Sequence, residues 1–243
     1  MRSGVGVGVL MEQMMADGAL HTGGMPVAAR EIALPEAPAA WARLGFAVDG
    51  DGSFHVGGVR LVTGRECLGV AAEGLRADRP DGLAIVAAGD AGRASTSSGS
   101  AGPTRRSAAG GAAHPNGAVV LDHVVALTDS LPRTLAALEA AGLELRRIRE
   151  PPEAPARQAF LRLGELILEV VERPDPPAAL WGLVAVAGDL DALAVRLGGL
   201  LASPRDAVQP GRRIATVRRE AGLATALAFM TPRPPQPQPG PSP

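Results

Sequence analysis

The chain carries the segment AVVLDHVVALTDSLPRTL at residues 118–135. Its first part is dense in β-branched and aliphatic side chains, which predicts a strand. Asp129 and Ser130 follow as helix-capping side chains and Pro132 suits a first helical turn, so the sequence predicts a helix directly after the strand. His123 lies inside the apolar strand, and its role depends on the groups that the rest of the fold brings to it.

The predicted helix and the runs after it form one unit. Leu131, Leu135 and Leu138 recur at helical spacing, and Gly142 is placed to end the helix. Three strand-like runs follow, LELRRIRE, RQAFLRLG and ELILEVVE, separated by a proline-rich stretch and by Gly164. The order of this unit is therefore β-α-β-β-β.

The same unit repeats further along the chain. LWGLVAVAGDLDALAVRLGGLL, residues 180–201, again places an apolar strand before a leucine-rich helix. A shift of 190 − 131 = 59 positions superposes Leu131 on Leu190 and Leu138 on Leu197. Strand-like segments in AVQPGRRIATVRRE and ATALAFM complete a second βαβββ unit.

The N-terminal part contains a third, weaker copy. AAREIAL is predicted as a strand and APAAWARLG as a helix, and three further strand-like runs follow, FAVDGDGSFHV, GVRLVTG and LGVAAEGL. We therefore expect three βαβββ units, two of them in the C-terminal part.

Composition divides the chain into five parts. A run rich in glycine, serine and alanine predicts a flexible linker at 91–117, and a proline-rich end predicts a disordered tail at 232–243. A flexible leader is predicted at 1–26. Between these stretches, the sequence predicts an N-terminal βαβββ-like module at 27–90 and a domain of two modules at 118–231.

Composition also excludes several partners and chemistries. The net charge is −1 and the arginines are scattered, so neither nucleic acid nor a membrane surface is an expected partner. No apolar run approaches the ~20 residues of a membrane-spanning helix. The chain has no lysine and no tyrosine, and Cys67 is its one cysteine, which excludes Schiff-base, phenol and internal disulfide chemistry. A cytoplasmic protein is expected.

The segments around His123 resemble a known family. LDHVVALT, the helix after it and RQAFLRLGELILEVVE are similar to the glyoxalase-like proteins of the vicinal oxygen chelate (glyoxalase/bleomycin resistance/dioxygenase) superfamily. The resemblance covers residues 116–230 well and the N-terminal part in outline. It implies an α+β fold in which paired βαβββ modules form a curved-sheet cup.

The resemblance also implies a metal site in the cup. In metal-dependent members the first and last strands of the modules supply His, Gln or Glu ligands, and His123 and Glu169 stand at two of these positions. Imidazole and carboxylate suit Zn, Mn, Fe or Ni. The shift of 59 places Gly182 where His123 stands, and the closing strand ATALAFM has no metal-binding side chain. The ligand set is incomplete, and a site without a metal is an equal expectation.

The residues alone leave three roles open for His123. It is a metal ligand, a buried histidine satisfied by a carbonyl or by Glu169, or a general base whose basicity Glu169 raises. Glu169 lies in the apolar run LILEVV, where a carboxylate is costly to bury unless it faces a polar cavity or a partner. His123 and Glu169 are therefore the candidate catalytic residues.

Other residues are candidates for ligand binding. Arg157 and Gln158 begin a strand and suit an anionic or carbonyl-bearing ligand, and Trp181 suits an apolar pocket wall. The alternatives are a solvated rim for the first two and an ordinary core position for Trp181. Arg212 and Arg213 lie at a predicted turn and are expected as surface charge.

The resemblance implies a small-molecule site. One expectation is a lyase or isomerase that transfers a proton next to a carbonyl group, with His123 or Glu169 as base and with or without a divalent metal. Strict glyoxalase I activity is not expected, because two ligand positions are apolar or glycine. The alternatives are a metal-free protein that binds or sequesters small molecules, of the bleomycin-resistance type, and a purely structural module. An odd number of modules leaves one cup face to be covered, so a homodimer is expected.

Overall fold

A computed structural model of the protein describes residues 25–89, 113–150, 156–175 and 177–234. The predicted leader lies almost entirely outside these ranges, as do most of the predicted linker and most of the predicted tail. None of the helices among the described residues is long and apolar enough to cross a membrane.

The elements of the N-terminal part are β1 (Ala28–Ala33), α1 (Pro38–Arg43), β2 (Ser53–Val56), β3 (Val59–Val62), β4 (Gly69–Glu73) and β5 (Ile85–Ala87). The elements of the C-terminal part are β6 (Ala118–Thr128), α2 (Leu131–Ala140), β7 (Glu144–Arg149), β8 (Gln158–Leu163), β9 (Leu166–Glu172), β10 (Ala179–Ala187), α3 (Leu190–Leu197), β11 (Arg205–Asp206), β12 (Arg213–Thr216) and β13 (Ala226–Met230).

The C-terminal strands form one eight-stranded sheet in the order β11-β12-β13-β10-β6-β9-β8-β7. In each half the first strand pairs in parallel with the last, β6 with β9 and β10 with β13. The two first strands, β6 and β10, pair antiparallel at the centre. This is the predicted pair of βαβββ modules, and the predicted α+β fold class is confirmed.

The central strand pair carries three bulges, two of which lie at equivalent positions of the two modules. Asp122 is an extra residue of β6 directly before His123, and Trp181 is an extra residue of β10 directly before Gly182. A bulge breaks the regular alternation of side chains between the two faces of a sheet. Asp122 and His123 consequently line the same cavity, although strict alternation would separate them.

The N-terminal strands form a second sheet in the order β2-β3-β1-β4-β5. β1 pairs in parallel with β3 and antiparallel with β4, so β3 and not β4 closes the first unit. The five predicted elements of the third unit are present in the predicted order, but the parallel partner of its first strand is not its last strand, as it is in the other two units. The predicted strand FAVDGDGSFHV is shortened to Ser53–Val56, because Asp49 and Gly52 form a turn before it.

Both sheets share one hydrophobic core. Its buried cluster runs from Val27 to Phe229 and includes residues of all three helices. Phe46 stacks on Phe229 with 6.0 Å between ring centroids, which joins the N-terminal part to β13. The buried carboxylate of Glu36 adds a polar link, because it accepts a hydrogen bond from the Thr225 amide.

The helices after the two central strands are capped in different ways. The Asp189 side chain caps α3 by accepting hydrogen bonds from two helix amides. The side chain of Ser130 makes no capping bond to α2, contrary to the sequence prediction. Glu172 of β9 accepts the Leu131 amide instead, so a neighbouring strand supplies the cap.

Candidate active site

One face of the eight-stranded sheet packs in the core, and the opposite face carries the candidate site. Along β6, Leu121, Val124 and Ala126 belong to the core cluster. His123 lies on the other face and lines two adjoining cavities. Glu169, on the parallel neighbour β9, lies beside it.

The two cavities have volumes of about 440 and 300 Å³. They share the lining residues His123, Arg147, Phe160, Gln209 and Pro210. We name the two cavities together the cup. Asp122 lines the larger cavity and Glu169 the smaller, so His123 stands between two carboxylates that belong to different parts of the cup.

Asp122, His123 and Glu169 form a chain of contacts. His123 Nδ1 lies 2.8 Å from Asp122 Oδ2, within hydrogen-bonding distance. Its Nε2 lies 3.3 Å from Glu169 Oε2. All three side chains are at least 85 % buried, with exposures of 12 %, 9 % and 15 % in that order. The imidazole is thus held at both nitrogens, and both partners are carboxylates.

The surroundings of Asp122 favour its ionised form. Burial alone raises the pKa of Asp122, but the hydrogen bond with His123 and the interaction with Arg212 outweigh burial and lower the pKa to about 2. Asp122 is therefore a carboxylate at neutral pH. As an acceptor it fixes the proton of His123 on Nδ1 and leaves Nε2 directed at Glu169.

The surroundings of Glu169, in contrast, favour its neutral form. Burial raises the pKa of Glu169, and the electrostatic interactions with His123, Arg147 and Arg149 reduce that effect without cancelling it. Glu169 consequently changes its charge closer to neutral pH than an exposed glutamate does. A carboxyl group of this kind, in contact with imidazole Nε2, can exchange a proton with a ligand in the cup.

The second module contributes an apolar wall. The shift of 59 positions between the two modules places Gly182 at the position that corresponds to His123. By the same shift, 169 + 59 = 228, Ala228 corresponds to Glu169. A Cβ atom on Gly182 would lie 2.5 Å from the Ala226 carbonyl oxygen, so β13 approaches too closely for any side chain there. The apolar wall consists of Ile214 and Met230, which line the smaller cavity. The same module also places Arg205 in the smaller cavity and Arg212 in the larger one, so its side of the cup carries both apolar and charged groups.

The donor set does not fit a resident metal ion. His123 Nε2 and Glu169 Oε2 are near enough to share an ion, but Asp122 lies at the opposite imidazole nitrogen. Gly182 and Ala228 offer no donor. Within the described ranges, no group of three or more His, Cys, Asp or Glu side chains is arranged to hold a metal, whereas catalytic ions usually have three protein ligands.

The predicted ligand-binding residues are separated in the structure. Gln158 lines the smaller cavity. Arg157 lines neither cavity, because its guanidinium makes two hydrogen bonds of 2.7 and 2.8 Å to Glu172. Trp181 is 51 % exposed and also lines neither cavity, so an ordinary core position is excluded for it.

Asp122 and Arg212 line the cup and contact each other, but neither is among the sequence-predicted site residues, and the same is true of Arg147. Asp122 enters the cup through the bulge, which the alternation of residues in LDHVV does not reveal. Arg212, expected as surface charge, has a side chain only 2 % exposed and lies 2.8 Å from Asp122 Oδ1 through Nη1. The sequence feature that came nearest to indicating Arg212 is the pair of arginines after Gly211. Arg212 turns inward, whereas Arg213 pairs with Asp191 at the surface.

Comparison with known proteins finds similarity at the level of structure. No family model matches the sequence, and no curated protein matches it. Methylmalonyl-CoA epimerase from Mycobacterium tuberculosis is 18% identical, with a TM-score of 0.42 over 49% of this chain and 91% of that chain. A hypothetical protein from Bacillus halodurans C-125 is 16% identical, with a TM-score of 0.42 over 49% of this chain and 97% of that chain.

A third similar structure is methylmalonyl-CoA epimerase from Streptomyces coelicolor in complex with 2-nitronate-propionyl-CoA. It is 19% identical, with a TM-score of 0.38 over 46% of this chain and 95% of that chain. At these values the similarity carries no information about function. The strand order and the parallel closure of each module define the architecture. The C-terminal part has the paired-module architecture that the resemblance to the vicinal oxygen chelate superfamily implies.

Proposed function

We propose that the cup is an active site for proton transfer at a carbon next to a carbonyl group of a small molecule, as in isomerases and lyases. The observation that carries the proposal is the contact chain from Asp122 through His123 to Glu169, with its far end in an open cavity. An ionised acid, an oriented imidazole and a carboxyl group of raised pKa are the parts that general acid–base catalysis requires.

The proposed mechanism uses Glu169 as the base. In its ionised form Glu169 takes a proton from the carbon next to the carbonyl group and passes it to His123 Nε2, which lies 3.3 Å from Glu169 Oε2; return of the proton to the carbon follows the same path in reverse. Ionised Asp122 stabilises the positive imidazole that this transfer creates. The enolate formed on the ligand carries negative charge, which the guanidinium of Arg147, lining both cavities, stabilises.

A second candidate function is supported by the apolar wall. Ile214 and Met230 line the smaller cavity with side chains that cannot take part in acid–base chemistry. Such a wall suits a metal-free protein that binds or sequesters a small molecule through buried apolar area. In that case ligand affinity, and not turnover, would depend on this wall of the cup.

Hydrogen exchange separates the two functions. Small carbonyl compounds with acidic carbon–hydrogen bonds, including 2-oxo acids, 3-oxo acids and sugar phosphates, are incubated with the protein in D₂O with EDTA, and loss of the proton signal is followed by NMR. We expect exchange by the wild type that falls about 10²-fold or more in His123→Asn and Glu169→Gln. Glu139→Gln, on the exposed face of α2, is the matched control. Binding without exchange would favour the second function and refute the first.

A homodimer and a cytoplasmic location complete the proposal for the whole protein. They rest on the module count and on the composition, respectively. Light scattering of the full-length chain tests the dimer, and a mass of one chain would refute it.

A further inference from the structure

Arg212 is a buried cation with free hydrogen-bonding capacity. Its Nε donates to the Thr231 carbonyl oxygen at 2.8 Å, and its Nη1 forms an ion pair with Asp122 at 2.8 Å. Its Nη2 is buried and has no hydrogen-bond partner among the described residues. A buried donor without a partner is costly, and a guanidinium stays charged at all relevant pH values. A ligand that accepts from Nη2 would remove this cost.

Arg212 lies in the most positive part of the cup. The larger cavity is lined by one carboxylate, Asp122, and by the arginines Arg146, Arg147, Arg162, Arg212 and Arg233. Glu144 pairs with Arg146 at 2.8 Å and approaches Arg162 at 4.0 Å, so two of these charges are partly compensated. The remaining charge is still positive, and Asp122 is already occupied by His123 and Arg212.

We propose that the larger cavity binds a small dianion, with one of its oxyanion groups accepting a hydrogen bond from Nη2 of Arg212 and a second interaction from Arg147. The planar fork of a guanidinium matches the oxygens of phosphate and carboxylate groups. The ligand class is therefore a phosphate ester or a dicarboxylate. This inference rests on the proposed function and names the substrate class of that site.

The position of Arg212 defines where a bound anion would lie relative to His123 and Glu169. Asp122 contacts Arg212 through Oδ1 and His123 through Oδ2. An anion on Arg212 is thus separated from the imidazole by a single carboxylate. The reacting carbon of the ligand would lie near His123 and Glu169 while its charged group remains in the larger cavity.

Calorimetric titration of the full-length protein with inorganic phosphate and with malonate, at constant ionic strength maintained with NaCl, tests the proposal. We expect saturable binding of at least one dianion, weaker binding of acetate, and a dissociation constant about tenfold or more higher in Arg212→Gln. Arg213→Gln, at the adjacent position but paired with Asp191 outside the cup, should bind as the wild type does. Preference for phosphate indicates a phosphate ester, and preference for malonate indicates a dicarboxylate.

Arg147→Gln keeps the test decisive if Arg212→Gln does not fold. Arg147 is exposed and its guanidinium lies 4.5 Å from the centre of the Phe160 ring, so its replacement leaves the core intact. Binding of neither dianion, or equal affinity in the wild type, Arg212→Gln and Arg147→Gln, would overturn the proposal. Dianion binding that persists in Glu169→Gln while exchange is absent from every sample would refute the proposed catalysis and leave the anion site standing.

Discussion

Asp122 and Trp181 are the extra residues of two equivalent bulges, 181 − 122 = 59 positions apart, in the neighbouring strands β6 and β10. In the first module the residue after the bulge is His123, which points into the cup. In the second it is Gly182, whose backbone β13 approaches closely. One bulge therefore presents two polar groups to the cup, while the residue after the other bulge is a glycine that packs against a neighbouring strand.

Asp122→Asn should destabilise the protein at neutral pH. The folded pKa of about 2 lies below the ordinary 3.8, and this difference corresponds to about 2 kcal/mol of stability. Because the folded pKa is lowered, this stability is present above pH 3.8 and is lost as the pH falls through about 2. Urea denaturation at pH 7 and pH 2.5 measures the effect, which should shrink at the lower pH. Asp175→Asn, at an exposed position, should change neither value, and an equal effect in both variants would contradict the account.

Glu169→Gln should keep or raise the stability at pH 8 while removing proton transfer. Burial raises the pKa of Glu169, so the ionised carboxylate carries a cost in the folded state that an amide lacks. That cost is absent below pH 4.5 and grows as the pH rises through the raised pKa. Thermal unfolding at pH 8 and pH 4 should show the gain at pH 8 alone. A large loss of stability at pH 8 would mean that Glu169 is a structural partner of His123.

Gly182→Ala should destabilise the protein by about 1–3 kcal/mol. The added Cβ would lie 2.5 Å from the Ala226 carbonyl oxygen and 2.8 Å from the Ala226 Cβ, so β10 and β13 would have to separate. Gly188→Ala is the matched control, since no atom lies within 4 Å of its added Cβ. Equal unfolding midpoints for the two variants would show that β13 moves freely and that a side chain at position 182 is tolerated.

Glu172→Ala should weaken α2 and leave ligand binding unchanged. Glu172 accepts the Leu131 amide at the start of the helix and is held by Arg157. The loss of a cap costs about 1 kcal/mol, which urea denaturation can measure. A change in dianion affinity without a change in stability would instead return Arg157 to the ligand-binding role predicted from the sequence.

The sequence was sufficient to predict the paired modules and the first half of the site. The shift of 59 positions and the strand LDHVVALT located His123, and the carboxylate within LILEVV located Glu169. The two residues are 3.3 Å apart in the structure. The strands and helices were predictable because they follow from hydrophobic periodicity, which a sequence records directly, whereas the pairing of His123 with Glu169 was implied by the resemblance to the vicinal oxygen chelate superfamily.

The rest of the site depends on features that periodicity does not record. Strict alternation places Asp122 on the face opposite His123, and only the strand register reveals the bulge. Arg212 and Arg213 are identical in type and adjacent, yet one is buried beside Asp122 and the other is paired at the surface. The strands of the N-terminal unit were predicted in the order that the structure has, but their pairing was not, because β1 pairs in parallel with β3 and antiparallel with β4.

The tautomeric state of His123 tests the central claim most directly, and it can be read from long-range ¹⁵N NMR of the four histidine rings. The account predicts a proton on Nδ1 of His123 throughout pH 5 to 8, because ionised Asp122 accepts it. His114 is an internal control of the opposite kind, since its Nδ1 accepts the Ala47 amide and its Nε2 lies 2.7 Å from the His55 carbonyl oxygen. A neutral His123 with an unprotonated Nδ1 would contradict the proposed chain from Asp122 to Glu169.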